Sequence, residues 1–380
     1  MTAKPTKGLN LQQHLRGAVP LPFLISYGMK RITIFCLILC LIGLICFPDA
    51  TFAAATDAAM LWWSRVLPSL LPYLILTGMI VRLAPTGGGN VFGISRLAWS
   101  ALLLGAVGGY PVGARVIGKA RCQGMVEART ADRLLACCNL MNPGFVVSVT
   151  AVGIFHSAKA AIPMAISLYS VVLLSFFLLA RSKTELQRTN PNPFSAAVLT
   201  ESIQSGIQAI LGIGACILLC SVLLSLLNSL RLPHALAWLC SIPEATVSAV
   251  LSGLMEMTLG VQAVANLPLS VPLRLAVCCF FLQFGGASVF LQTLTVAKLQ
   301  RPMRYLLRKG CMGILSAVLC FFLAKLLLKQ TESVFFPIAK PYLPAVTTLS
   351  VAVSAGFGVL LLTLVATLHA RPKKDRKRRI

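Results

Sequence analysis

The sequence predicts an all-α, polytopic membrane protein of about eight transmembrane helices plus two re-entrant hairpins, arranged as an inverted repeat. Three observations carry this expectation. Hydrophobic residues make up 57% of the chain and charged residues 12%, with a mean hydropathy of +0.84, which leaves too little polar surface to cover a soluble globule. A motif recurs: Arg133-Leu-Leu-Ala-Cys-Cys-Asn-Leu-Met-Asn-Pro-Gly144 returns 141 residues later as Arg274-Leu-Ala-Val-Cys-Cys-Phe-Phe-Leu-Gln-Phe-Gly285, so that Cys137 and Cys138 meet Cys278 and Cys279, and Asn142 meets Gln283. Upstream of each copy lies a second glycine-broken apolar stretch, Gly108-Gly-Tyr-Pro-Val-Gly113 in one case and Ser252-Gly-Leu-Met-Glu-Met-Thr258 in the other.

Taken in order, residues 1–31 form a basic cytoplasmic N-terminus. An apolar run from Ile32 to Phe47 follows, ending at Pro48-Asp49 before Ala53-Ala54-Ala55; a retained first transmembrane helix is expected here, although the small-residue stretch also fits a cleavage site. With its external loop this segment covers 32–56. The first repeat, 57–181, holds apolar runs at Leu61–Val81, Leu97–Gly118, Leu134–Ile154 and Ala160–Ala180. A cytoplasmic linker, 182–198, carries the breaker cluster Asn190-Pro-Asn-Pro193. The second repeat, 199–330, holds Leu199–Leu227, Ala235–Val261, Leu275–Ala297 and Cys311–Leu328. A last crossing, Thr347–Leu368 within 331–370, precedes the basic tail 371–380. The longer runs match the span of about 30 Å of hydrocarbon.

Charge decides which runs cross. If Leu97–Gly118 and Ala235–Val261 are re-entrant, both termini are cytoplasmic and 27 of the 34 Lys and Arg lie inside; if both cross, the split weakens to 21 against 13. The positive-inside rule favours the hairpins. Three crossings then separate the two copies, so the second is inverted relative to the first, the arrangement in which broken helices of secondary transporters place a site near the midplane. The net charge of +24 sits in short clusters between apolar runs, which excludes a nucleic-acid-binding face. The lipid bilayer is the expected environment, and the tail suits anionic lipid. Self-association into a homo-oligomer stays open.

The first hairpin tip, Gly108, Gly109, Tyr110, Pro111 and Gly113, combines reversal by glycine with a proline opening the second half-helix, and free N–H groups at such a tip attract anions. Arg115, one turn beyond, is either a substrate clamp or a snorkelling anchor. Asn139, Asn142 and Gly144 break the next helix, and Gln283, Gly285, Gly286 and Ser288 repeat that polar-then-glycine pattern; these, with Ser252 and Gly253, are the expected substrate-binding residues. Glu256 is the acid expected in the membrane core, where it must be paired or protonated, and with Thr258 it suits proton or sodium coupling. Arg65 and Ser69 are candidate entrance residues beside the tryptophans Trp62 and Trp63, read as an interfacial belt. Thirteen cysteines without metal or redox spacing read as packing residues. No hydrolase, kinase or metalloprotease motif occurs and the four histidines are scattered, so no enzyme, cofactor or metal site is expected.

On Leu67-Pro-Ser-Leu-Leu-Pro72, Gly109-Tyr-Pro-Val-Gly-Ala-Arg115, Leu254-Met-Glu-Met-Thr258 with Gly260, and Phe284-Gly-Gly-Ala-Ser288, the chain resembles the sporulation integral membrane protein YlbJ family, within the nucleoside-recognition, or Gate, group. The matching pieces span Trp62 to Leu328; the Gly-Tyr-Pro and Glu-Met-Thr elements are the specific ones. The resemblance implies a protein of spore formation in the mother-cell membrane around the forespore, moving dipicolinate out of the cytoplasm. The chain departs from the family's pattern at Asn142-Pro-Gly144, where a more hydroxyl-rich break is usual, and in its long basic N-terminus. A secondary carrier for a small organic anion is the leading expectation, a nucleoside-type permease the second, and a non-transporting membrane scaffold for the spore envelope the third.

Overall fold

In a computed structural model, which describes residues 21–83, 90–180 and 195–328, the chain is almost entirely helical. Four helical segments are long and apolar enough to cross a membrane, Ala158–Leu179, Ala196–Ser229, Val271–Val296 and Pro302–Leu327, and two sharply bent helix pairs raise the number to six. This is an integral membrane protein. The expected crossing at Thr347–Leu368, the basic tail, and most of the linker 182–198 lie outside the described residues.

The N-terminal part differs from its expected layout. Helix α1 (Leu21–Cys46) reaches back into the stretch read as a basic N-terminus, and α2 (Pro48–Leu61) occupies what was expected to be an external loop. Pro48 sits in the first turn of α2, where a proline costs no hydrogen bond, and the chain turns by 99° at this junction. A π-helical turn, Trp62–Val66, leads into α3 (Leu67–Leu83), which contains Pro72. Trp62 is not a free belt residue: its indole Nε1 donates to the Ile210 carbonyl at 3.0 Å, and its ring fills the notch at Gly214, where a Cβ would come within 2.7 Å of it. Trp63 does face outward, 65% exposed.

A two-residue β-ribbon, β1 (Asn90–Val91) with β2 (Ile94–Ser95), introduces the first hairpin. Ser95 caps α4 (Arg96–Gly108) by accepting from the Ala98 N–H at 3.3 Å. After the reversal at Gly109-Tyr110-Pro111, α5 (Val112–Cys122) runs back along α4. The broken helix follows as α6 (Ala128–Cys138), a gap, and a π-helical stretch, Phe145–Ile154. Then come α7 (Ala161–Leu179) and α8 (Ala196–Ser229).

The second half repeats the order. Helix α9 (Leu232–Cys240) is separate, turned 119° from the next helix, with Trp238 and Leu239 exposed. The hairpin proper is α10 (Glu244–Met255) and α11 (Met257–Ala265), so it begins nine residues later than the run at Ala235 and ends four residues beyond Val261. Pro243 just before α10 is the local reason for the later start. Its broken helix is α12 (Val271–Phe284) and α13 (Gly286–Val296), followed by α14 (Pro302–Leu327). Between the two hairpins the chain runs through the first broken helix, α7, α8 and α9.

Glycines close both hairpins. A Cβ on Gly260 would lie 2.0 Å from the Gly253 Cα, so α10 and α11 touch backbone to backbone. In the first hairpin Gly105 and Gly113 meet around the Cys138 carbonyl, which a Cβ would approach to 2.1 and 1.8 Å. The paired cysteines Cys137, Cys138, Cys278 and Cys279 are free thiols fully buried in packing positions. The inner-side assignment of the first hairpin predicts that cysteine placed at Arg121, in a background cleared of native cysteines, is labelled by impermeant reagent from the cytoplasmic side only, and cysteine at Lys159 from the outside only; labelling of position 121 from outside would contradict the re-entrant topology.

Candidate functional site

Four interruptions of helical backbone come together. Gly109 at the first hairpin tip has φ +72°, a conformation glycine adopts without strain, and a Cβ there would stand 3.4 Å from Asn142 in the first helix break. The Tyr110 hydroxyl donates to the Leu282 and Gln283 carbonyls at 3.0 and 3.1 Å, at the end of α12. There Gly285 and Gly286, with φ of +87° and +71°, form the second helix break. Gly286 in turn lies against the carbonyls of Gly253, Leu254 and Met255 at the second hairpin tip, each 3.0–3.2 Å from where its Cβ would be. The tips of Tyr110 and Met255 are thus linked through the second helix break.

Each break satisfies part of its own backbone. Asn142 Oδ1 accepts from the Phe145 N–H at 2.7 Å and so caps the π-helical stretch, while Gly144 keeps ordinary helical dihedrals (φ −59°, ψ −41°); the first break is therefore made at 139–142 and does not need a left-handed glycine. Glu256, 3% exposed, caps α11 through the Leu259 N–H at 2.9 Å and also meets the N–H and hydroxyl of Thr258. No ion pair to Glu256 forms among the described residues, and Arg115 does not reach it. The Arg115 guanidinium instead donates to the Ser205 carbonyl at 2.9 Å and to the Ser205 hydroxyl, tying the first hairpin to α8.

Other expected site residues turn elsewhere. The Ser252 hydroxyl bonds back to the Ser248 carbonyl at 2.8 Å within its helix, and Ser288, buried, accepts from Gln292 at 3.2 Å. Gly108 closes on Val112 within its own hairpin, and Pro111 sits behind Tyr110 in a cis peptide. The side chains of Arg65 and Ser69 lie outside the described residues.

The residue that the sequence reading missed is Lys309. Its ammonium is fully buried, donates to the Tyr110 hydroxyl at 2.9 Å and the Asn139 carbonyl at 3.1 Å, and lies 5.1 Å from the centre of the Tyr110 ring. Helix α14 starts at Pro302, so Lys309 stands two turns inside it, whereas the apolar run in the sequence starts only at Cys311. Beside it, Asn139 Nδ2 donates to Thr293 Oγ1 at 2.8 Å and the Tyr305 hydroxyl at 3.1 Å. Two side-chain atoms of this cluster have no partner, Asn139 Oδ1 and Gln283 Nε2. No carboxylate pairs with Lys309 among the described residues. The local signal for it was present in the Pro302 start of a helix, but a basic cluster at 298–309 reads as a cytoplasmic loop.

These features define a class: an integral membrane protein whose two halves each set a helical hairpin against a broken helix, around one buried, cationic polar centre. Over 283 residues, 64% of this chain and 69% of the relative, the sequence is 27% identical to the sporulation integral membrane protein YlbJ of Bacillus subtilis (strain 168). The chain is thus similar to a sporulation integral membrane protein over most of its length. No family model matches the sequence and no solved structure matches it.

Proposed function

We propose that this protein is a secondary carrier for a small organic anion, foremost dipicolinate, moving it out of the mother-cell cytoplasm toward the forespore across the outer forespore membrane. The observation that carries this reading is the buried centre where both hairpin tips and both helix breaks meet, holding the Lys309 ammonium with no acid against it among the described residues. Non-helical backbone at such depth is tolerated where it lines a cavity or is buried in protein, and a pair of broken elements in matching positions is the usual frame of a transporter site. An unpaired cation there favours an anion. Similarity to a sporulation integral membrane protein supports dipicolinate among the small dianions. Both termini are read as cytoplasmic. Glu256, buried and without an ion pair among the described residues, is the residue read as coupling transport to a proton or sodium gradient. A Gate-like, nucleoside-type permease is the second reading, favoured by the amide groups of Asn139 and Gln283, which suit a neutral base.

The test is uptake of labelled dipicolinate and labelled uridine into proteoliposomes, with and without a pH or sodium gradient. Dipicolinate uptake with no uridine uptake is expected. Arg115→Gln in the same assay is expected to leave apparent affinity for dipicolinate close to wild type and to lower thermal stability, because its guanidinium is held by Ser205. A loss of affinity of about ten- to a hundredfold, which is what one charge-assisted contact is worth, would instead place Arg115 on the substrate. Uridine uptake without dipicolinate uptake would replace the anion reading by the permease reading, and no transport of either would remove the carrier reading.

A further inference from the structure

We infer that Lys309 is the receptor for the substrate's carboxylate, and that its present contacts are the latch it forms when no anion is bound; this rests on the anion-carrier reading above. A buried ammonium with neutral partners loses its hydration without gaining a counter-charge. A methionine of similar length would fill the same space in this apolar bundle without that loss, so packing gives no reason for a lysine here. Its hydrogen bonding is also incomplete. Two protons go to the Tyr110 hydroxyl and the Asn139 carbonyl, and the third has no acceptor among the described residues. The Gln283 amide nitrogen, 3% exposed as a residue, is a second donor without an acceptor, and the backbone carbonyl of Gln283 accepts from the same Tyr110 hydroxyl. Two unsatisfied donors, one of them charged, in one buried cluster call for an acceptor-only group, and a carboxylate is the commonest such group. The free Asn139 Oδ1 then takes a water or a donor carried by the ligand.

The position of Lys309 makes the same contact a switch between the halves. It stands on α14, in the second half, while Tyr110 is the first hairpin tip and Asn139 belongs to the first helix break. Tyr110 passes the connection on to the second break through Leu282 and Gln283. A carboxylate accepts from an ammonium more strongly than a neutral carbonyl does. An arriving anion therefore draws Lys309 off the Asn139 carbonyl and loosens the tie across the halves while the site is occupied.

The experiment uses the full chain, in detergent for thermal unfolding and in proteoliposomes for uptake, with dipicolinate, picolinate and pyridine as probes carrying two, one and no carboxylates. The wild-type unfolding temperature should rise with dipicolinate, less with picolinate, and not with pyridine. Lys309→Met should unfold no earlier than wild type without ligand, lose the dipicolinate-dependent rise, and show an apparent affinity lower by about ten- to a hundredfold. Lys309→Arg should recover part of the rise. Should Lys309→Met fail to fold, Gln283→Leu decides: loss of the carboxylate-dependent rise supports the receptor, and an unchanged rise overturns it. A Lys309→Met protein that keeps the wild-type rise and affinity overturns the receptor while leaving the carrier reading intact. Conversely, wild type that fails to take up dipicolinate but shows a Lys309-dependent rise with picolinate overturns the substrate and leaves the receptor standing. No rise with either acid overturns both.

Discussion

Gly113→Ala is expected to abolish accumulation of folded protein. The added methyl would fall 1.8 Å from the Cys138 carbonyl oxygen and 2.5 Å from its carbon, and neither partner is a flexible side chain that can swing away. The carbonyl belongs to the end of α6, immediately before the first helix break, so yielding to the methyl means pushing that break away from the hairpin tip. Ordinary overpacking in a core costs about 1–3 kcal/mol; a clash with backbone on both sides should exceed it. Gly212→Ala and Gly310→Ala are the matched controls, since a Cβ at either meets nothing within 4 Å, and both should express and unfold like wild type or slightly better, as helix propensity favours alanine. Size-exclusion profiles and thermal unfolding in detergent check the set. A monodisperse Gly113→Ala protein with wild-type stability would mean that the first hairpin does not pack on Cys138 as described.

Asp132→Ala should be a damaging change away from the centre, at about 1–3 kcal/mol, because it removes the acceptor for two backbone N–H groups and the carboxylate that faces Arg121. The Asp132 carboxylate, 3% exposed as a residue, accepts from the Gln300 and Arg301 N–H groups at 3.2 and 3.0 Å and faces Arg121 at 3.9 Å, while its backbone carbonyl accepts from Arg308 at 3.1 Å. It thereby fastens the first half to the turn that starts α14, two turns before Lys309. Asp132→Asn keeps a single oxygen acceptor and should lie between wild type and the alanine variant. Thermal unfolding in detergent reads the order directly, and an alanine variant as stable as the asparagine one would show that the carboxylate does not hold that turn.

Much of this architecture was legible in the residues. Gly109, Gly285 and Gly286 mark left-handed backbone that other residues adopt at a cost, so reversals and breaks announce themselves locally. The recurrence of Arg133-to-Gly144 at Arg274-to-Gly285 located both broken helices, and the thiols within it are packed as their apolar flanks imply. Trp62 was misread because an indole on a helix end looks alike whether it meets lipid headgroups or, as here, the Ile210 carbonyl 148 residues away. The stretch after Pro48 was read as a loop because proline and small residues break an apolar run, although the first turn of a helix accepts both.

The sequence by itself determined that this is a helical membrane protein with two related halves, where each half reverses, and which residues interrupt its helices, because hydropathy, glycine and proline act over a few neighbouring residues. The tertiary structure alone decided that Arg115 is taken by Ser205, that Glu256 stands without an ion pair among the described residues, and that a lysine from a basic cluster becomes the charge at the crossing of the two halves. Burial of a charge depends on which distant segments pack over it. Lys309 and Tyr110, 199 residues apart, are neighbours only once both halves have folded together.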